Sequence, residues 1–202
     1  MICSSPAPLT GQGVFPRPHQ RRLPIWLGVG GTPASFARAG ELGLPLAVAI
    51  IGSEIRRFRP LVDLYREAGL RAGHPPETLQ VGLHAIGFVA KTSEEARDIF
   101  FPGWHAMFTK VGQERGWPAP TRKQFLALIE PEGAYLVGDP DAVAAKIMRA
   151  DEALGEISRI TFQMSSAAHE HDAMFQSIEL LGKEVAPSLQ ESTMRARRLD
   201  VG

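Results

Sequence analysis

The chain has 202 residues, enough for one substantial hydrophobic core and consistent with a single domain. Its 22 Lys and Arg balance 22 Asp and Glu and are scattered rather than blocked, which excludes the electrostatic footprint of a nucleic-acid binder. The single cysteine, Cys3, excludes an internal disulfide framework and a cysteine-rich zinc site, and fits a reducing cytoplasm. The longest apolar stretch, LPLAVAII, is far short of the roughly 20 residues of a membrane helix, and no basic start followed by an apolar segment opens the chain. A soluble, cytoplasmic protein without a membrane partner is expected.

In chain order, residues 1–22 are rich in Pro, Gly and Ser without periodicity and read as a flexible leader. The first apolar run, PIWLGVG from Pro24 to Gly30, is strand-like. Behind it Thr32 is placed to cap a helix, Pro33 fits the first helical position, Phe36, Ala37 and Gly40 share a face, and Gly43 closes the segment. The second run, LPLAVAIIG from Leu44 to Gly52, leads to Ile55, Phe58, Val62, Tyr65 and Gly69 at helical spacing. On that helix Arg56, Arg57, Arg59, Asp63 and Arg66 point elsewhere; Arg56, Arg57 and Arg59 could clamp a phosphate tail entering from solvent, and a solvated face is the plainer reading of them. The third run, QVGLHAIGFVA from Gln80 to Ala90, precedes a capping box of Thr92 and Glu95. Pro102 is expected to interrupt that helix before Trp104, Met107, Phe108 and Val111 resume the stripe. Asp139 then caps a helix opened by Pro140, with Val143, Ile147, Met148 and Leu154 facing inward. The fourth run, RITFQM from Arg159 to Met164, is followed by Met174, Phe175, Ile178 and Val185 as a last inward stripe that Pro187 ends. Residues 190–202 read as a flexible tail.

Four apolar runs alternating with helices argue an α/β fold with a covered parallel sheet. Two architectures fit: a small doubly wound sheet, or part of a (β/α)8 barrel, whose complete form takes about 250 residues and eight such units.

The turn Gly28-Val29-Gly30-Gly31-Thr32-Pro33-Ala34-Ser35 carries the most chemistry. Glycines remove side chains that would block a ligand, a helix amino terminus offers free N–H groups, and the hydroxyls of Thr32 and Ser35 can donate to phosphate oxygens. The plainer reading is a tight turn with a capped helix. The segment LVGDPDAVAAKIMRADEALG repeats the layout with a carboxylate, Asp139, where the first turn has Thr32. If either of these two turns holds an anion, it is the first.

The stretch PRPHQRRLPIWLGVGGTPASFARAGELGLPLAVAIIG, followed by VDLYREAG, ERGWP, YLVGDPDAVAAKI and SIELLGKEVAP, resembles the bacterial luciferase-like monooxygenases from about Pro16 to Leu189. The resemblance implies a partial TIM (β/α)8 barrel, residues 23–189, whose four βα units match the second half of the barrel. The first four strands have no counterpart, so the sequence looks like a fragment, a truncated product or a half-barrel form. It further implies a flavin-dependent oxidoreductase or monooxygenase with FMN or a deazaflavin as cofactor and a small organic substrate. The flavin-phosphate positions that match are Gly30, Gly31, Thr32 and Ser35; no catalytic residue is assigned.

Other candidates are weaker. His169-Glu170-His171 lacks a third ligand by spacing, so no metal site is expected. His84 lies on a strand face with Gly82, Ile86 and Phe88, where it could meet a flavin or pack as a hydrogen-bonded core histidine. Trp104 and Trp117 read as packing anchors. A half-barrel would leave two strand edges and an apolar inner face, so a homodimer or association with a complementary barrel half is expected. A non-catalytic flavin-binding or scaffold protein is the rival reading.

Overall fold

The computed structural model describes residues 10–13, 15–165 and 170–190. In chain order the elements are β1 (Leu27–Val29), α1 (Pro33–Glu41), β2 (Leu46–Ile50), α2 (Arg59–Arg71), β3 (Val81–Val89), α3 (Ser93–Arg115), α4 (Arg122–Ile129), β4 (Leu136–Gly138), α5 (Pro140–Leu154), β5 (Arg159–Gln163) and α6 (His171–Leu180). Every strand pairing is parallel. β1 pairs with β2, β2 with β3, and β3 with β5, so β1-β2-β3-β5 form one curved wall, while short β4 adds to the carboxyl end of β3 at Gly87–Val89. Parallel neighbours require crossover connections, and helices supply them, as in part of a (β/α)8 barrel.

The core follows from strand periodicity. Leu46, Val48 and Ile50 of β2, with Val81, Leu83 and Ala85 of β3, are almost fully buried beneath the helices. Each of the Val, Leu and Ile side chains contributes about 1.5–3 kcal/mol relative to exposure. Helices α1 and α2 touch through glycines: a Cβ on Gly40 would fall on the Tyr65 carbonyl and lie 2.9 Å from the Gly69 amide. The Tyr65 hydroxyl donates to the carbonyls of Leu44 (3.0 Å) and Gln80 (3.2 Å), joining α2 to the starts of β2 and β3. A second cluster packs Trp104 against Phe125, with ring centroids 5.0 Å apart, and its Nε1 donates to Tyr135 Oη at 2.9 Å.

Two cations tie the helix ends. Lys146, only 4 % exposed, donates to the carbonyls of Leu128, Ile129, Glu130 and Tyr135, satisfying the carboxyl terminus of α4. Burial lowers its pKa to about 8. Arg66 performs the same service for α5, reaching the carbonyls of Leu154, Gly155 and Glu156.

Several expectations are corrected. All four expected runs form strands, and among the described residues Leu136–Gly138 adds a fifth by pairing with β3. α3 runs unbroken through Pro102, its two halves held by packing of Phe100 and Trp104 on either side. The Thr92 hydroxyl accepts from the Glu95 amide at 3.1 Å, whereas the reciprocal capping box forms instead at Thr121 and Gln124. Met148 is 37 % exposed, and Phe175 and Ile178 are more than half exposed, because no element among the described residues packs over them. Pro187 lies within helical residues 186–190, which continue α6 through a π-helical turn, Leu181–Val185. Trp117 is an exposed ring under the Arg115 guanidinium rather than a packing anchor. Cys3, His169 and the tail from residue 191 lie outside the described residues.

Candidate functional site

The sheet has two unlike faces. One set of alternating residues is buried under helices. The other set, Gly28, Ala47, Ala49, His84, Thr161 and Gln163, stays exposed or half-buried and lines a shallow trough. Small residues on β1 and β2 keep its floor close to the backbone. At the amino-terminal end Trp26 closes the trough: its ring lies against Gly82, where a Cβ would sit 3.0 Å away, and the Arg159 guanidinium stacks over it at 4.3 Å.

At the carboxyl-terminal end stands the Gly30–Ser35 turn. Gly30, Gly31 and Thr32 are exposed and Ser35 is half-buried, so the structure brings the four sequence-derived site residues to one edge. Gly31 has φ +143°, a conformation that disfavours any side chain. A Cβ on Gly28 or Gly30 would meet no atom within 4 Å, so these glycines leave open space rather than close packing. Thr32 sits at the cap position with extended backbone, but its hydroxyl makes no cap hydrogen bond. The Ser35 amide that would normally reach that hydroxyl is bonded to the Thr32 carbonyl at 2.9 Å. Thr32 Oγ1 is thereby left uncommitted at a helix amino terminus, where the dipole favours an anion.

The parallel turn before α5 is built to opposite effect. Asp139 accepts from the Ala142 amide at 2.9 Å and from Ser93 Oγ at 2.6 Å, and these donors hold its carboxyl below the usual carboxylate range. A Cβ on Gly138 would press on Ser93 and Ala142. That turn is closed and negatively charged; the first is open and neutral.

His84 is the polar group that sequence reading placed without deciding its role. It is half-buried on the trough, and its Nε2 donates to Gln163 Oε1 at 3.1 Å. Gln163 is 79 positions away, so no spacing could have paired them. Arg56 and Arg59 pair with Glu54 and Asp63 on an exposed surface, as expected of a solvated face. His171 opens α6 with its ring 4.9 Å from that of Phe175. A separate cleft of about 250 Å³ lies between the end of β3 and α6, floored by Phe88, Ile99 and Leu180 and rimmed by Lys91, Glu95 and Lys183; none of the four turn residues lines it. Among the described residues no helix is long and apolar enough to cross a membrane.

The family model for luciferase-like monooxygenases matches residues 7–156. The chain belongs to the luciferase-like monooxygenase family. Within it, 3,6-diketocamphane 1,6-monooxygenase of Pseudomonas putida is 28 % identical over 143 residues, covering 63 % of this chain and 37 % of the relative. Among solved structures, the oxygenating constituent of 3,6-diketocamphane monooxygenase in complex with FMN, from the CAM plasmid of P. putida, superposes with a TM-score of 0.63 at 22 % identity. It covers 82 % of this chain and 48 % of its own. The coenzyme F420 dependent tetrahydromethanopterin reductase of Methanopyrus kandleri gives 0.56 at 19 %, covering 83 % and 51 %. The luciferase-like chain described here is thus a partial (β/α)8 barrel, spanning about half the length of the solved structures it matches.

Proposed function

We propose that this chain is the cofactor-anchoring part of a flavin-dependent oxidoreductase or monooxygenase, and that Gly30, Gly31, Thr32 and Ser35 hold the phosphate of FMN or of a deazaflavin. The single observation that carries this reading is the open turn: Gly28 and Gly30 face empty space and the Thr32 hydroxyl is uncommitted, whereas the equivalent turn at Asp139 is filled. The residues fit a phosphate, since a neutral, uncommitted hydroxyl stands at the positive end of α1, where the turn before α5 has a carboxylate. Family membership supports the flavin class, one similar structure being an FMN complex and another coenzyme F420 dependent. A bound flavin would supply the hydride or oxygen chemistry; the protein's part is to anchor the phosphate and shape the trough for a small organic substrate. A cytoplasmic setting, where reduced flavins are produced, suits this role.

The Thr32→Asp variant tests the anchor. Asp is as good a helix cap as Thr, so stability should be retained, but its charge opposes a phosphate. FMN affinity, read by quenching of flavin fluorescence, should fall at least about ten-fold, which is about 1.4 kcal/mol. Equal affinity in the two proteins would sink the assignment.

The second reading is a non-catalytic flavin-binding or scaffold protein. It draws on the edges of β1 and β5, each paired on one side only among the described residues. Flavin bound without turnover of any reduced cofactor would favour it.

A further inference from the structure

The parallel register sets Val29, Val48 and Leu83 side by side, so the next residues along, Gly30, Ala49 and His84, share one level of the wall. His84 is two strands from Gly30, about 10 Å at ordinary strand spacing. Only Ala49 lies between them, and it leaves the floor low. His84 is also fixed: its Nε2–H is committed to Gln163 Oε1 at 3.1 Å. That bond sets the tautomer and leaves Nδ1 as an acceptor with no hydrogen-bond partner among the described residues. Beneath this level the Trp26 ring covers Gly82 with the Arg159 guanidinium stacked over it, so across the wall from the turn His84 is a polar side chain at the same level with small residues between.

We propose that His84, oriented by Gln163, is a cofactor-contacting residue that accepts through Nδ1 a hydrogen bond from a ribityl hydroxyl of the flavin. The inference rests on the reading of this chain as a flavin binder. Both cofactor classes place a polyhydroxylated five-carbon chain between phosphate and ring. A phosphate at Thr32 therefore carries hydroxyl donors across Ala49 toward His84. A histidine that were only packing the sheet would have no use for a free acceptor on the exposed face; a ligand rich in donors does.

The test uses the whole chain with FMN and riboflavin as probes, since riboflavin keeps the ribityl hydroxyls and lacks the phosphate. His84→Ala should weaken both by a similar factor, about ten-fold for one good hydrogen bond. Thr32→Asp should weaken FMN while sparing riboflavin. Two near-isosteres separate contact from structure. His84→Asn keeps an acceptor near the Nδ1 position and loses the bond to Gln163, whereas His84→Gln keeps a group near Nε2 and loses the acceptor. The proposal expects His84→Asn to retain more flavin affinity than His84→Gln; the reverse order assigns His84 to the structure and overturns it. Unchanged affinity in His84→Ala, with thermal unfolding as in the parent, overturns it as well. If Thr32→Asp leaves FMN binding intact while the His84 variants weaken both probes, the phosphate site is wrong and the His84 contact stands. If the parent chain binds neither flavin, both assignments fall.

Discussion

At the scale of single residues, the two tyrosines of the chain, Tyr65 and Tyr135, are both buried, and burial pushes each phenol up to about 12. The fold uses the Tyr65 proton, donated to the Leu44 and Gln80 carbonyls, whereas Tyr135 accepts from the Trp104 Nε1–H, a bond that opposes the upward push of burial without overcoming it. In the unfolded chain both ionise near 10, so above that pH the unfolded state binds fewer protons than the native state and the stability contributed by these groups falls. It is fully present below pH 10 and is lost as pH rises towards about 12. Absorbance titration at 295 nm should accordingly find no tyrosinate signal near pH 10 in the folded protein, followed by joint ionisation as the protein unfolds. A hyperbolic single-site titration centred near 10 would contradict the buried placement. Tyr65 was legible in the sequence as a core position by its helical spacing. Its two carbonyl acceptors were not, because they precede strands β2 and β3 that only the sheet brings to it. The same holds for His84 and Gln163, whose pairing depends on β5 lying beside β3.

At the scale of elements, the α1–α2 contact is set by two glycines. Gly40→Ala would drive a methyl onto the Tyr65 carbonyl and the Gly69 amide, backbone atoms that cannot swing aside as a side chain could. The helices must separate, and overpacking of this kind costs about 1–3 kcal/mol. Urea denaturation should register the loss as a lower midpoint with little change in slope, while Gly73→Ala, in open space but at φ +84°, should cost only its backbone strain. A Gly40→Ala protein as stable as the parent would mean that α1 is free to slide. Elements with strong local signals were readable in advance: the α5 start at Asp139-Pro140, the α1 start at Thr32-Pro33, and the long strand β3. What escaped was settled by distant partners. β4 is three residues long with no alternation to detect, and it exists because Phe88 and its neighbours offer an edge. Pro102 reads locally as a break, yet the aromatic residues on either side hold α3 straight enough to continue. Phe175 and Ile178 have core-like spacing on α6, and whether they are covered is decided by what lies next to the helix.

At the scale of the whole molecule, those exposed residues and the strand edges describe one unsatisfied surface. Among the described residues β1 pairs only with β2, and β5 only with β3, so each end of the wall presents unpaired N–H and C=O groups. Apolar side chains gather at the same two ends: Leu23 and Ile25, 51 % and 59 % exposed, lead into β1, while Phe175 and Ile178, 57 % and 52 % exposed, lie on the helix that follows β5. A second copy can satisfy both ends at once. A twofold axis along the barrel axis brings β1 of one copy beside β5 of the other and, because such an axis preserves strand direction, keeps all eight wall strands parallel. Zero net charge adds no repulsion to this pairing. We therefore propose a homodimer, joined through its strand edges, as the form in which this chain exists alone. Sedimentation equilibrium should give twice the chain mass at micromolar concentration, and the double substitution Phe175→Asp and Ile178→Asp should move the protein towards monomer or aggregate while leaving Gly30–Ser35 untouched. A monodisperse monomer at the highest soluble concentration would mean that the edges are covered within one chain. Dimerisation also couples to the site, because the trough of one copy would then be roofed by the trough of the other, and dilution that dissociates the dimer should lower flavin affinity along with it.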